Sequence, residues 1–383
     1  MLNIQFIDTP ELLHALCEQI ATVPWVALDT EFLREKTYYP KFCLLQIATL
    51  DWVACVDPIA LTNLDELLEV LYRPTLLKVF HSCRQDLEIF FQLKGSVPQP
   101  IFDTQLAAPL MGFQDNTGYA MLVSSFLNIN LNKAYTRTDW SVRPLSAEQL
   151  NYAAEDVIYL GQIYQKMSKK LTELGRLNWL KDDFEHLVDP ELYQSDPENA
   201  WLKIRGKNKL TGKQLSIVQT ISIWREQTAR HENRPRNWLM RDDMMIELAK
   251  LQPDSLESLT AIRGMPEKIV YRFGKTIIQL VNEAKQRPPK PLNEKDKAFK
   301  KSPEQECIMD LLAAIVRLRA NQNQLNPSIL ATRKDLEDLL NDPPEGALLT
   351  GWRKTMVGNE LLALLKSELN IQLSTEKISI SKP

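Results

Sequence analysis

Asp29 and Glu31 stand two residues apart in the apolar run VALDTEF (26–32). Strand side chains alternate between faces, so in a strand both carboxylates project the same way, about 7 Å apart along the chain. Like charges in a partly dry cleft are costly unless one is protonated or a cation neutralises them. Oxygen donors select a hard divalent ion, Mg²⁺ or Mn²⁺, over zinc. Taken alone, the pair also fits a solvated acidic turn at a strand end. Two more acids follow. Asp86 falls in the first turn of a predicted helix directly after the apolar LLKVF (76–80), where an acid also complements the helix dipole. Asp156 lies one turn after Tyr152 on a long predicted helix, on the same face. Each residue is ordinary by itself, and Tyr152 also reads as a semi-buried packing aromatic. Their order along the chain carries the information.

Elements of the right kind are available to position them. WVALDTEF, CLLQIATL, WVACVDP and LLKVF have strand length and strand composition. LDELLEVLY reads as a short amphipathic helix. HSCRQDLEIFFQL reads as a helix with a capping box at Ser82 and Gln85. The segment 146–175 is a longer one, with a second box at Ser146 and Gln149 and a stop at Gly175. Strands followed by strand–helix alternation predict a mixed sheet flanked by helices. Beyond it the chain is helical in character to the C-terminus, with helices expected over 211–232, 242–251 and 266–285. The Pro- and Lys-rich stretch from 286 onward is a linker. NWLMRDDMMIELAKL and SILATRKDLEDLL echo each other, which suggests a duplicated helical module of roughly 80 residues.

Length and composition set the frame. The chain has 383 residues, 44% hydrophobic and 25% charged, enough for two or three globular domains. Its net charge is only -3, but residues 201–290 hold 18 Lys and Arg against 9 Asp and Glu, a net of +9 that leaves -12 on the rest. An acidic body that carries a basic module suits a cation site beside an anion-binding one. Five cysteines without a CxxC pair read as reduced thiols of a cytoplasmic protein. No signal peptide or membrane span is expected.

DxE in a first strand, Asp early in a later helix and YxxxD on a last helix together resemble the DEDD exonuclease superfamily. FHSCRQDLEIF, FDTQLAAPL and DWSVRPLSAEQLNYAAEDVIYL resemble, more narrowly, the ribonuclease D family. Position 151 is Asn and 152 is Tyr, which places the sequence in the superfamily's tyrosine branch. The resemblance implies a ribonuclease H-like mixed-sheet exonuclease domain and a 3′→5′ exoribonuclease that uses two divalent metal ions. Its catalytic set is Asp29, Glu31, Asp86, Tyr152 and Asp156. Asp29, Glu31 and Asp156 are then expected to hold one ion, with Asp29 bridging to a second that Asp86 supports through water. Two such ions clamp the attacking and leaving oxygens of an in-line displacement. A tyrosine with an ordinary pKa of about 10 is a poor base at neutral pH, so Tyr152 is assigned to orient the water. RNA 3′ ends, tRNA precursors among them, are the implied partners, and the family suggests a monomer.

Residues 210–251 and 261–274 resemble the HRDC domain, and the second repeat resembles its divergent C-terminal copy, expected to pack against the catalytic domain. The expected boundaries are 1–200 for the exonuclease domain, 207–288 for the first HRDC domain, 289–302 for the linker and 303–378 for the second HRDC-like domain. Arg234, Arg236 and Arg241 surround Trp238, an arrangement that pairs charge with a base-stacking surface. The alternative puts Trp238 in the core and the arginines on nearby acids. Phe32, His81, Arg137 and Arg143 are further candidates for contacting substrate, and Lys133 accompanies Arg137. For Arg143 and the neighbouring Trp140, a structural ion pair and a core indole are equally good readings. Asp103 is expected to cap the helix after it. The same chemistry on DNA, or a non-catalytic nucleic-acid-binding scaffold, are the rival functions.

Overall fold

The computed structural model describes residues 3–131, 138–194, 196–210, 212–291, 302–341 and 343–382. The N-terminal part runs β1 (Ile4–Ile7), α1 (Pro10–Ala21), β2 (Trp25–Leu33), β3 (Lys41–Ala48), β4 (Val53–Val56), α2 (Asp65–Leu71), β5 (Leu77–Phe80) and α3 (Arg84–Lys94). It continues through β6 (Ile101–Asp103), α4 (Thr104–Ala107), α5 (Tyr119–Leu127), α6 (Ala147–Glu173) and α7 (Lys181–Leu187). The strands form one sheet in the order β1-β4-β3-β2-β5-β6. β1 pairs parallel to β4, and β5 pairs parallel to β2 and β6, while β3 and β4 are antiparallel. The expected mixed sheet is therefore present. β1, which the sequence reading left unassigned, forms its edge.

Sequence dictates the centre of this sheet directly. Val26, Ala27 and Leu28 are all fully buried, so β2 is covered on both faces, and its polar residues begin only where it reaches the sheet edge. α6 starts at the expected Ser146–Gln149 capping box and lays Ala153, Ala154, Val157 and Leu160 against the core. Gly161 sits where a Cβ would stand 3.0 Å from the Trp25 ring, so the helix approaches the start of β2 closely. The box expected at Ser82 is absent. Ser82 takes a left-handed φ of 64°, and the Ser82 and Cys83 N–H groups donate instead to the Asp103 carboxylate at 3.0 and 2.8 Å. Asp103 also accepts from Gln105 and Leu106, capping α4 as expected.

Two compact units result: residues 1–31, 43–190 and 301–383 form one, and residues 32–42 and 191–300 form the other. Besides moving residues 191–200 to the basic unit, this partition differs from the sequence boundaries at two points. The C-terminal helices α13 (Pro303–Gln322), α14 (Pro327–Leu330), α15 (Arg333–Leu339), α16 (Gly351–Arg353) and α17 (Asn359–Leu365) belong to the exonuclease unit, and the segment after β2 belongs to the basic unit. The reason for the first point is a shared core. Met309, Leu312, Leu330, Leu336 and Leu361 fall in the same buried cluster as Ala27, Val79 and Val157. Trp179 and Trp352 stack at 4.6 Å and 7°, flanked by the Arg176 and Arg353 guanidiniums. Arg176 further donates to the carbonyls of Leu110 and Asn323 at 2.7 and 2.6 Å. The helical reading fails at the C-terminus, where β7 (Asn370–Leu373) and β8 (Ile378–Ser381) form an antiparallel hairpin.

The basic unit comprises α8 (Gly212–His231), α9 (Arg236–Leu239), α10 (Asp242–Leu251), α11 (Leu256–Thr260) and α12 (Glu267–Ala284). Ile217, Val218, Ile221, Met245, Leu248, Ile277 and Val281 make its separate core. Thr211, the expected first residue of α8, and linker positions 292–301 lie outside the described residues. No helix among the described residues is long and apolar enough to cross a membrane.

Candidate active site

The fold brings Asp29, Glu31 and Asp156 together. Each offers a carboxylate oxygen, and these oxygens lie within 4.8 Å of one another. β2 supplies the first two from one face at its carboxyl end, and α6 supplies the third. Burial pushes Asp29 well above the usual carboxylate range, and the Asp156 charge adds to it. Burial likewise lifts Glu31 to about 9, helped by Asp29, Asp156 and Asp86. Asp156 rises to about 7, from burial first and Glu155 second. Raised in this way, the carboxylates favour protonation unless a cation neutralises them. Three oxygen donors and no nitrogen or sulfur fit a hard divalent ion.

Asp86 stands outside that close set. It is buried, and the Thr30 hydroxyl donates to it at 2.5 Å. Burial and then the Asp29 charge raise its pKa well above the usual value, so it senses the cluster without sharing its centre. Thr30 was missed in the sequence. A hydroxyl between two carboxylates was the available signal.

Tyr152 and Asp156 line one cavity of about 610 Å³ with Tyr119, Met121, Asn130 and Leu131. Tyr152 stacks on Trp140 with ring centroids 6.2 Å apart, and Trp140 is buried. Tyr119 is the second residue the sequence reading missed. Its hydroxyl donates to the Glu155 carbonyl at 3.0 Å, which ties α5 to the turn of α6 that carries Asp156. His81 packs on the Tyr119 ring at 5.5 Å. Thr104 spends its hydroxyl proton on the Phe80 carbonyl (3.1 Å), so at the 3.0 Å contact between Thr104 and His81 the imidazole Nδ1 is the donor. Burial lowers the His81 pKa.

The candidate substrate contacts divide sharply. Of the two readings of Arg143, the structure shows the ion pair and not a free substrate contact: its guanidinium is spent on structure. It grips Asp57 through two bonds of 2.6 and 2.8 Å and donates to the carbonyls of Cys43, Trp140 and Val142. Burial alone would raise the Asp57 pKa; the Arg143 bond and charge and the Ile59 and Ala60 N–H groups outweigh it and hold it low. Arg143→Ala is therefore expected to cost about 3 kcal/mol of stability, the penalty of stranding a buried carboxylate. Chemical denaturation measures this, and an unchanged midpoint with weakened RNA binding would restore the substrate role. Arg137 and Lys133 lie outside the described residues. Phe32 is half-buried and opens the segment that clusters with the basic unit.

In that unit Trp238 is 48% exposed, which excludes a core position. Arg234 lies over its ring at 5.9 Å and reaches Glu232 at 3.4 Å. Arg236 turns to Glu226, and Arg241 pairs with Asp243. Tyr271 is 95% exposed between the exposed Lys268, Arg272 and Lys275, an aromatic the sequence reading passed over.

Comparison with known proteins agrees with this arrangement. Residues 4–172 match the 3′-5′ exonuclease family and residues 214–281 match the HRDC domain. Ribonuclease D of Acidiphilium cryptum is 38% identical over 98% of this chain and 96% of its own. Ribonuclease D of Granulibacter bethesdensis is 36% identical over 98% and 95%. Among solved structures, Escherichia coli RNase D, described as an exoribonuclease involved in structured RNA processing, superposes with a TM-score of 0.84 at 30% identity, covering 95% of this chain and 99% of that one. The catalytic core of RRP6 from Trypanosoma brucei matches with a TM-score of 0.59 at 26% identity, over 74% and 80%.

Proposed function

Because the chain belongs to the ribonuclease D family and is a 3′→5′ exoribonuclease, we propose that it trims the 3′ ends of structured RNA, tRNA precursors among them, as a cytoplasmic monomer. The convergence of Asp29, Glu31 and Asp156 on one point carries the catalytic part of this reading. The substrate part rests on the family and on the basic unit.

A divalent ion bound here, Mg²⁺ or Mn²⁺, would lower the pKa of a water and neutralise charge on the phosphoryl group. Asp29, Glu31 and Asp156 would hold such an ion, and Asp86, buried beside Thr30, would support a second one. Tyr152, one turn from Asp156 in the same cavity, orients the attacking water. The water oxygen bonds to phosphorus as the P–O3′ bond breaks. A nucleoside 5′-monophosphate leaves, and the shortened strand keeps a 3′-hydroxyl. Burial of the carboxylates strengthens each of these contacts relative to bulk water.

Tyr152→Phe is expected to slow single-turnover cleavage about a hundredfold, the scale of a misplaced reactant, with metal affinity unchanged. Quench-flow on a labelled RNA reads this, and a wild-type rate would remove the phenol from the mechanism. The function itself is tested by incubating the protein with 3′-extended tRNA, 3′-extended single-stranded RNA and matched DNA, with and without Mg²⁺ or Mn²⁺. Stepwise mononucleotide release from the RNAs, abolished by EDTA, is expected. Equal or faster degradation of the DNA would overturn the RNA assignment.

A further inference from the structure

A second polar cavity, about 570 Å³, lies wholly within the basic unit. It forms where residues 34–38, three to seven positions past Glu31 in the chain, are clasped by α8 and α9. The Tyr38 hydroxyl donates to Glu226, and Asn233 accepts from the Tyr38 and Tyr39 N–H groups at 3.1 and 3.0 Å. The Arg236 guanidinium lies over the Tyr38 ring at 5.6 Å.

Four cations line this cavity, Arg34, Lys203, Arg225 and Arg236, against two acids, Glu35 and Asp242. Arg225 is 5% exposed; it donates to Asp242 and the Met240 carbonyl, both at 2.8 Å, and its Nε has no partner among the described residues. Arg236 is matched by Glu226 at 3.4 Å. Lys203 is exposed and has no acidic partner among the described residues. Asn237 adds an amide donor at the rim. Donors thus outnumber acceptors around a space large enough for a nucleotide unit and too polar for an apolar ligand. Guanidinium and ammonium groups converging in this way recognise phosphate oxygens.

We propose that this cavity binds a phosphate group of the RNA strand. The assignment rests on the exoribonuclease reading. Arg34 is three residues past Glu31 on a continuous run from β2, so the segment that carries the metal ligands continues into the phosphate site. Arg236 lines the same cavity, with Glu226 at 3.4 Å. The other source of the same chemistry is a free phosphate monoester, such as the released nucleoside 5′-monophosphate.

The test uses the full chain in EDTA, so that RNA is bound without being cut. A short 5′-labelled single-stranded RNA is titrated across a salt series for wild type, Lys203→Gln, Arg34→Gln and Lys250→Gln. Lys250 belongs to the same unit and pairs with Glu247 away from the cavity. Each lost phosphate contact in a single strand lowers the slope of log affinity against log salt by about 0.7. Lys203→Gln and Arg34→Gln are expected to show that loss with several-fold weaker binding, and Lys250→Gln to show neither. Equal slopes for wild type and Lys203→Gln, or equal losses in all three variants, would overturn the site. Adenosine 5′-monophosphate and inorganic phosphate are added as competitors. Displacement of RNA from wild type at low concentration, absent in Lys203→Gln, would assign the cavity to free monoester and overturn the strand assignment. Failure of the nuclease reading looks different: wild type with Mg²⁺ would release no mononucleotides, whatever the salt slopes show.

Discussion

Asp29→Asn is expected to lower turnover at least a thousandfold while making the metal-free protein more stable. The two effects share one cause. Asp29 is electrostatically linked to the three other acids: its charge acts on Glu31 and Asp86, and Asp156 acts on it. An amide of the same shape removes that repulsion and can no longer hold a cation. A loss of several kcal/mol in transition-state charge stabilisation corresponds to about three powers of ten in rate. The folded state meanwhile gains about 1–2 kcal/mol, the scale of one relieved carboxylate repulsion. Single-turnover kinetics with Mg²⁺ and thermal unfolding in EDTA measure the two arms. A variant that cuts RNA at a near-wild-type rate would remove Asp29 from the mechanism. One that unfolds earlier than wild type would show that the carboxylate serves the fold.

The second large effect is a pH dependence that metal erases. Glu31 is lifted to about 9 and Asp156 to about 7 in the folded protein, against about 4 for free carboxyls. Between pH 4 and those values the folded chain retains protons that the unfolded chain releases. The stability these groups contribute is therefore complete below about pH 4 and is lost as pH rises towards 9. The loss approaches about 1.4 kcal/mol per pH unit for each retained proton. A bound divalent ion takes the place of the protons and removes the decline. In EDTA the unfolding midpoint should fall between pH 5 and 9. With saturating Mn²⁺ it should not, and the gap between the curves should widen with pH. Other titrating groups, the buried Lys78 with its pKa lowered to about 7 among them, act alike in both series. Parallel curves would mean that the cluster neither stores protons nor exchanges them for metal.

Deleting everything after Pro303 is not a clean test of RNA contact by the C-terminal helices. The helices it removes bury Met309, Leu312, Leu336 and Leu361 in the core that holds Val157 and Leu160 of α6. Truncation would expose that apolar surface and disturb the helix that carries Asp156. Point changes such as Lys203→Gln leave the core intact and isolate the charge.

Much of this protein was legible along the chain. The apolar run before Asp29, the capping box at Ser146 and the one-turn spacing of Tyr152 and Asp156 are local features, set by strand and helix periodicity, and the structure keeps each of them. The placement of charged side chains was not legible. Arg143 reads equally as a substrate contact or as half of an ion pair, and only the fold shows that Asp57, 86 residues earlier, takes it. Ser82 reads as a helix cap, but the Asp103 carboxylate arrives from β6 and does that work, while Ser82 goes left-handed. Trp238 reads equally as a stacking surface or as core, and it lies half in solvent. Residues 32–42 read as part of the first domain and cluster with the basic unit, where Tyr38 meets Glu226. Backbone periodicity is decided within a few residues, so sequence alone determined the elements and the order of the acids. A buried charge takes whichever opposite charge or carbonyl the folded chain brings near, so only the tertiary structure decided which cations are tied down.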